Sequence, residues 1–229
     1  MKLNLLNPNY PEQPFPDIAS ALVEPNGLLA VGGCLSPARL INAYYHGIFP
    51  WFSADQPILW WSPDPRCILF PQNLTISTRL ARRLRQPHWQ FTWDQAFEAV
   101  VQACSEPRDY TADTWITSEM KQAYHRLHQL KLAHSAEIWC DGELIAGLYG
   151  IGLGQIFFGE SMFHRQTDAS KVVLVKLMQQ LSLWNYQLMD CQIPSAHLHS
   201  LGAINLSRHK FNHLLMQYRD LSLTTEAWL

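Results

Sequence analysis

The sequence has no long apolar run that could form a membrane span. Its most hydrophobic stretch, VVLVKLM, is short and is interrupted by Lys176, whereas a bilayer requires about 20 apolar residues. The first residues, MKLNLLNPNY, contain no apolar segment followed by a small-residue cleavage site. These absences predict a soluble, cytoplasmic protein without membrane association.

Paired cysteine motifs and a strong net charge are also missing. The five cysteines are odd in number and include no C-x-x-C pair, which argues against a disulfide framework or a zinc knuckle. His209 and His213 are four residues apart but lack the glutamate of a zinc-hydrolase helix. We therefore predict no metal site. The formal charge of -2 gives no global basic field, so nucleic-acid binding would require a local basic cluster.

Tryptophan and proline, by contrast, are abundant. The 229 residues, 48% of them hydrophobic, include nine Trp and fourteen Pro, and the length suits one medium domain or a small domain fused to a larger one. Several of these residues cluster in the segments IFPWF, ILWWSPDPR and DTWIT. Exposed aromatic rings beside prolines indicate a stacking surface.

The first 65 residues indicate a small irregular lobe with one helix. Ser36 is a suitable N-cap for that helix, Pro37 fits its first position and Gly47 ends it. The region beyond is more regular. Periodicity predicts helices in ISTRLARRLRQ, in TWDQAFEAVVQACSE with Thr92 or Asp94 as its N-cap, and in TSEMKQAYHRLHQL. Three helices would then precede the first clear strand.

A meander and a crossover are predicted next. Strands in AHSAEIWC, LIAGLYGIG and QIFFGESMF are joined by an Asp141-Gly142 hairpin and a second glycine turn. We interpret the glycines of GLYGIGLGQ as turn residues, because Gln155 breaks the dinucleotide-binding pattern. A helix from Asp168, its expected N-cap, then leads to a buried strand in YQLMDCQ. The predicted class is α+β, with a small N-terminal lobe and a mixed sheet flanked by helices.

Polar residues in this last strand are candidates for a site. Side chains alternate across a strand, so Asp190 and Gln192 share one face while Met189 and Cys191 share the other. A thiol on the helix-covered face behaves as a small hydrophobe, whereas polar groups at the carboxyl end of a parallel strand often bind ligands. The alternative is that both polar residues satisfy loop backbone groups.

Glu160 interrupts an otherwise apolar strand, where a carboxylate needs a compensating partner. The neighbouring Gly159 suggests a β-bulge. One interpretation is a salt bridge at a strand edge. The other is a carboxylate at the base of a pocket lined by Phe157, Met162 and other apolar groups.

A dense basic cluster occurs in TRLARRLRQ. Arg79, Arg82 and Arg83 share a helical face, Arg85 follows closely, and the cluster has no acidic partner in sequence. Such a cluster favours phosphate contacts, and together with the Trp-Pro segments it is typical of proteins that hold single-stranded RNA ends. A merely solvated helix face is the alternative.

Taken together, these motifs resemble those of the bacterial leucyl/phenylalanyl-tRNA-protein transferases. The resemblance implies an enzyme that moves leucine or phenylalanine, and less well methionine, from tRNA to the N-terminal amine of proteins beginning with Arg or Lys, which marks them for degradation. It also implies a small N-terminal domain, residues 1–65, and an N-acetyltransferase-like domain, residues 66–229. The matching segments are EPNGLLAVGG, LSPARL, GIFPWF, ILWWSPDPR, TWIT, AYHRLH, AHSAEIW, GLYG, FFGESMF, DASK and DCQ with HLHSLGA.

The resemblance implies roles for particular residues. Trp51 and Trp115 correspond to residues that hold the terminal adenosine of the tRNA. Glu160, Asp190 and Gln192 correspond to polar residues around the reacting amine, and the arginine cluster to the tRNA-binding surface. The residues implied to line the pocket for the aminoacyl side chain are Leu148, Phe157, Met162 and Leu174.

The sequence differs from coenzyme-A-dependent enzymes at one loop and from the transferase family at one turn. Coenzyme-A-dependent relatives of the fold carry a glycine-rich pyrophosphate loop where this sequence reads HRQTDASK, so we expect no acetyl-CoA and no other cofactor. Cys34 stands where the family usually has Asp.

The rival interpretations are an acetyl-CoA-dependent N-acetyltransferase and a non-catalytic RNA-binding module. We expect a monomer, since nothing in the sequence marks a second interface.

Overall fold

Two β-sheets organise the fold of the computed structural model, which describes residues 3–106 and 115–228. The first sheet has the strand order β1-β2-β4-β3, with β1 parallel to β2 and the other pairs antiparallel. Its strands are β1 (Asn4–Leu6), β2 (Leu28–Gly32), β3 (Phe49–Pro50) and β4 (Leu59–Trp61), and helix α1 spans Pro37–Tyr45.

The second sheet has the strand order β11-β5-β10-β9-β8-β7-β6. Its strands are β5 (Arg66–Leu69), β6 (Trp89–Trp93), β7 (Ala133–Cys140), β8 (Glu143–Leu153), β9 (Ile156–His164), β10 (Leu188–Gln192) and β11 (Ile204–Leu206). The remaining helices are α2 (Thr78–Arg83), α3 (Phe97–Cys104), α4 (Ser118–Gln129), α5 (Ala169–Leu183), α6 (Ala196–His199) and α7 (Arg208–Tyr218). Within the described residues, no helix is long and apolar enough to span a membrane.

The predicted meander and crossover are confirmed. Strands β7, β8 and β9 pair antiparallel in sequence, and β9 pairs parallel with β10 after α5. Asp141 and Gly142 both have positive φ, as their hairpin turn requires. The α1 prediction is also confirmed, because Ser36 Oγ accepts the Arg39 amide and Pro37 begins the helix. This mixed sheet with flanking helices confirms the α+β class.

The region before β7 differs from the prediction, because it contains strands β5 and β6 as well as helices. The segment TWDQAFEAVVQACSE is not one helix: its first residues complete β6, and α3 begins at Phe97 with no side-chain cap. Asp94 is not the N-cap. It adopts φ 55° and its carboxylate binds the Ser135 amide and His134 Nδ1, so it anchors β6 to β7. Thr92 lies in β6 and donates to Glu137.

Glycines in β8 make room for a bulge rather than a turn. Gly150 and Gly152 lie within the strand, and only Gly154 occupies the turn after it. A Cβ atom at Gly150 would lie 2.1 Å from the carbonyl oxygen of Phe158. In the β8–β9 register, Gly150 pairs with Gly159 and Tyr149 with Ser161, which leaves Glu160 as the extra residue. The bulge predicted beside Gly159 is therefore confirmed.

Two hydrophobic clusters cover opposite faces of the second sheet. One packs α3, α4 and the first sheet together, with residues such as Tyr44, Trp60 and Tyr124. The other packs α5 against the sheet, with residues such as Leu174 and Met189. The predicted domain boundary at residue 65 falls between the two sheets, and the first cluster draws on both sides of it.

Candidate functional site

A cleft of about 280 Å³ opens where the two sheets meet. Strand β3 and the residue after it supply one wall, and the middle of β9 and the end of β10 supply the other. Four residues that the sequence predicted for the site lie together here: Trp51, Trp115, Glu160 and Gln192. The other lining residues are Phe49, Pro50, Cys191 and Ile193.

Trp51 gives the cleft an aromatic wall. Its side chain is 42% exposed, which is unusual for so large an apolar group. Trp61 from β4 fixes its position: Trp61 Nε1 donates to the Trp51 carbonyl at 2.7 Å, and the two ring centroids are 5.6 Å apart. A held, solvent-facing indole is suited to stacking on a flat ligand.

Glu160 lies at the inner end of the cleft and is bound by two buried tyrosines. Tyr44 and Tyr124 donate to its carboxylate oxygens at 2.9 and 2.5 Å, and their hydroxyl oxygens are 2.8 Å apart. Burial raises the pKa of Glu160 to about 7, against the lowering effect of the tyrosine hydrogen bonds. The three close oxygen pairs share two hydroxyl protons when Glu160 is ionised and a third proton when Glu160 is protonated.

Gln192 closes the cleft in a constrained conformation. It has a φ of 55°, a region that side chains other than Gly, Asn and Asp rarely adopt. Its backbone amide donates to Asp190 Oδ1 at 3.0 Å, and its side-chain Nε2 donates to Glu160 Oε1 at 3.2 Å. Because the amide nitrogen contacts Glu160, the carboxamide oxygen is left for a ligand in the cleft.

Asp190 lies beneath the cleft rather than in it. Its side chain is fully buried and accepts two hydrogen bonds from Arg66, at 2.8 and 2.6 Å. The Arg66 guanidinium packs between the rings of Phe49 and Phe211, at 4.9 and 4.6 Å from their centroids. Asp190 therefore reaches the cleft only through the backbone of Gln192.

Comparison with known proteins identifies the family of the chain. A family model described as leucyl/phenylalanyl-tRNA protein transferase matches residues 68–216, and the model of that family's N-terminal domain matches residues 33–64. The leucyl/phenylalanyl-tRNA–protein transferase of Methylococcus capsulatus is 52% identical over 226 residues, covering 99% of this chain and 96% of the relative. The chain belongs to this family.

Further relatives agree with this assignment. The transferases of Azotobacter vinelandii and Hahella chejuensis are 53% and 56% identical and cover 94% and 88% of this chain, with 95% and 86% of their own lengths matched. Among solved structures, a GCN5-related N-acetyltransferase from Kribbella flavida matches with 12% identity and a TM-score of 0.38, over 75% of this chain and 63% of the other. As a leucyl/phenylalanyl-tRNA protein transferase, the chain is an aminoacyltransferase that acts on an aminoacyl-tRNA and a protein.

Cys191 contacts both the cluster beneath α5 and the cleft. It packs with Cys67 and Met189 in the cluster beneath α5, away from Asp190, as strand alternation predicts. It also borders the cleft, because the register shifts between Asp190 and Gln192 and leaves Cys191 as the extra residue. The pKa of the Cys191 thiol is raised, chiefly by its hydrogen bond with the Cys67 thiol and secondly by burial. A thiol with a raised pKa is a poor nucleophile at neutral pH.

The four apolar residues that resemblance to the transferase family suggested for the aminoacyl pocket lie on the α5 side of the sheet. Leu148, Phe157 and Leu174 are at most 2% exposed and Met162 is half-buried, and all four belong to or pack against that cluster. They do not line the cleft that holds Glu160 and Trp51. Phe157 and Glu160 lie on opposite faces of β9.

The arginine cluster does have an acidic partner, contrary to the prediction. Arg79 and Arg83 both approach Asp168, with nitrogen–oxygen distances of 3.0 and 3.7 Å. Asp168 is the N-cap residue of α5, as predicted, but it has φ 67° and its side chain makes no capping hydrogen bond. Arg82 and Arg85 are exposed, and Arg85 lies beyond the end of α2. The four arginines thus lie on or just after one short helix, and two of them pair with Asp168.

Sequence reasoning missed the residues that hold Glu160 and Asp190 in place. Tyr124 follows Met120 and Ala123 on the buried face of α4, and a tyrosine on such a face needs a partner for its hydroxyl. Arg66 likewise lies in a buried strand. Both positions carried a signal, since a buried polar group implies a buried partner. Among the described residues, no group of three or more potential metal ligands occurs.

Proposed function

We propose that the chain transfers leucine or phenylalanine, and less well methionine, from tRNA to the N-terminal α-amine of proteins that begin with Arg or Lys. The product is a peptide bond and an N-degron that marks the protein for degradation. The enzyme acts in the cytoplasm as a monomer without a cofactor. The observation that carries this proposal is the cleft that joins exposed Trp51 to Glu160 and Gln192.

The chemistry required of such a cleft is limited. An aminoacyl ester is already activated, so no covalent enzyme intermediate and no nucleophilic cysteine is needed. The enzyme has to hold the ester and the amine in attack geometry, keep the amine unprotonated, and stabilise the oxyanion. A free α-amine has a pKa of about 7.7 to 8.0, so it carries a proton on arrival at neutral pH.

Glu160 is the group best suited to receive that proton. It lines the cleft and its pKa is raised to about 7, near the pH at which a general base is most effective. Asp190 is fully buried and paired with Arg66, so it contributes by holding the Gln192 backbone. Gln192 then presents its carboxamide oxygen to the attacking amine.

Trp51 and Trp115 are proposed to hold the terminal adenosine of the tRNA between them, at the outer end of the same cleft. The pocket for the aminoacyl side chain is proposed to lie among Leu148, Phe157, Met162 and Leu174, on the α5 side of the sheet and across β9 from Glu160. The basic cluster of Arg79, Arg82, Arg83 and Arg85 would contact the tRNA phosphates.

One assay tests the proposal against both rival functions. The protein is mixed with labelled leucyl-tRNA and peptides that begin with Arg, Lys or Ala, and in parallel with labelled acetyl-CoA. We expect label to pass from leucyl-tRNA to the Arg and Lys peptides only. Transfer from acetyl-CoA would support an N-acetyltransferase, tRNA binding without transfer would support an RNA-binding module, and equal transfer to the Ala peptide would contradict the proposed acceptor specificity.

A further inference from the structure

A second cleft adjoins the first and shares three of its walls. It has a volume of about 160 Å³, and Phe49, Trp51 and Ile193 line both clefts. Trp61 and several prolines complete it, among them Pro63 and Pro194. Trp51 thus stands between two neighbouring cavities, only one of which contains Glu160 and Gln192.

We propose that this second cleft binds the base of the nucleotide that precedes the terminal adenosine of the aminoacyl-tRNA. The inference rests on the proposed function, which assigns the first cleft to that adenosine. The RNA strand has to leave the first cleft, and the second one is continuous with it through Trp51 and Ile193. Consecutive bases of single-stranded RNA commonly stack on successive aromatic side chains.

The lining of the second cleft suits a base rather than the first residue of the acceptor protein. Its walls are indole, phenyl, aliphatic and proline groups, and the lining residues include no carboxylate to pair with an Arg or Lys side chain. Asn26 is the polar lining residue, and its amide is committed to the backbone of Asp64 at 2.9 and 3.1 Å. We therefore expect stacking with little discrimination between pyrimidines.

A cation lies near this cleft, beside the turn that follows β4. Arg208 Nη1 donates at 2.6 Å to the carbonyl of Ser62, which lies between the lining residues Trp61 and Pro63. The Asp64 carboxylate, between the lining residues Pro63 and Pro65, accepts the Arg208 backbone amide at 3.1 Å. The Arg208 guanidinium is placed to offset both this charge and that of the phosphate that links the two nucleotides. The second cleft therefore offers apolar walls for a base and a neighbouring positive charge for its phosphate.

Three synthetic donors test the proposal without full-length tRNA. These are leucyl-adenosine, the leucylated dinucleotide CpA, and the same dinucleotide with an abasic first residue. The two dinucleotides carry the same phosphate, so their kcat/KM ratio for transfer to an Arg peptide isolates the base. Stacking of one base predicts a ratio of at least about fivefold. A leucylated UpA donor should match CpA within about twofold.

A substitution locates the effect. Ile193→Ala should lower the ratio at least about threefold, because Ile193 is 46% exposed and lines the cleft. The matched control is Ile204→Ala in β11, where the side chain is 38% exposed and the ratio should stay at its wild-type value. A wild-type ratio near one, or an unchanged ratio in Ile193→Ala, overturns the proposal. A raised KM for the peptide in Ile193→Ala with an unchanged ratio assigns the cleft to the acceptor instead.

The leucyl-adenosine donor distinguishes failure of the second base site from failure of the proposed transferase function. Transfer from leucyl-adenosine at a rate equal to that from both dinucleotides would remove the second base site and leave the transferase function intact. Failure of all three donors and of leucyl-tRNA would remove the function itself.

Discussion

Gln192 combines an unfavourable backbone conformation with a side chain that lines the cleft. We expect Gln192→Ala to lower kcat by about 100-fold and to leave the KM for aminoacyl-tRNA nearly unchanged, because the residue acts on the amine and not on the RNA. Asn tolerates positive φ, so Gln192→Asn keeps the backbone and withdraws the amide by one methylene. Single-turnover transfer rates measure both variants.

The neighbouring thiol provides the matched control. Cys191→Ala should keep near wild-type turnover, since Cys191 has a raised pKa and packs largely beneath α5. If Gln192→Asn transfers at the wild-type rate, the amide has no role in the reaction. If Cys191→Ala is inactive, the assignment of the chemistry to its neighbours is wrong.

Glu160 should make folding stability depend on pH. Folding raises its pKa from 4.5 to about 7, so the folded state binds the proton more tightly than the unfolded one. Its stabilising contribution is full below pH 4.5 and is lost as pH rises through about 7. The loss is on the order of 3 kcal/mol. In urea unfolding, the wild type should therefore lose unfolding free energy between pH 5 and pH 8, and Glu160→Gln should not show this loss.

An exposed glutamate serves as the comparison. Glu143→Gln at the start of β8 should retain the wild-type difference in unfolding free energy between pH 5 and pH 8. A Glu160→Gln variant that also retains it would show that the carboxylate is ionised at its ordinary pKa. In that case Glu160 would be a weak base at neutral pH.

At the scale of single elements, α2 and the start of α5 are linked by charge. Arg82→Ala combined with Arg83→Ala should weaken tRNA binding and reduce the salt slope of the binding constant by about one to two, because the variant neutralises fewer phosphates. Asp168→Asn should strengthen binding, because it releases Arg79 and Arg83 from their carboxylate partner. Filter binding at several salt concentrations distinguishes these outcomes from an effect on turnover.

The elements that the sequence predicted well are those with strong local signals. Asp141-Gly142 between two apolar runs identified the β7–β8 hairpin, and Ser36-Pro37 identified the start of α1. Strand β6 was missed because only three residues separate it from α3. The apolar residues of the strand and of the helix therefore looked like one helical pattern. Its position depends on partners far along the chain, above all Asp94 with Ser135, which no local pattern reports.

The same limit applies to the site. Glu160 and Gln192 were identified because a polar residue in an apolar strand is conspicuous. Tyr44 and Arg66 were not, since each is explained only by a partner more than one hundred residues away. The acidic partner of the arginine cluster was missed for a similar reason, as Arg79 and Asp168 are separated by 89 residues.

At the scale of the whole molecule, Arg66 joins parts that are distant in sequence. It pairs with Asp190 while packing between Phe49 of the first sheet and Phe211 of α7. Arg66→Met should lower the unfolding free energy by about 3 to 5 kcal/mol, because Asp190 is left charged and buried. Arg66→Met combined with Asp190→Leu should recover much of that stability but not the transfer activity.

Urea unfolding and transfer assays of these two variants separate packing from function. Recovery of both stability and activity in the double variant would show that the pair only fills space. Recovery of neither would show that the ion pair itself is indispensable to the fold.

The stacking of Phe211 on Arg66 also bears on the order in which the enzyme is made. A chain on the ribosome displays Trp51 early and Glu160 and Gln192 later, but the ring that packs on Arg66 comes from α7, which is synthesised after all of these residues. We therefore expect the nascent chain to stay inactive while it is surrounded by charged tRNA, and to begin transfer only after α7 has emerged and folded.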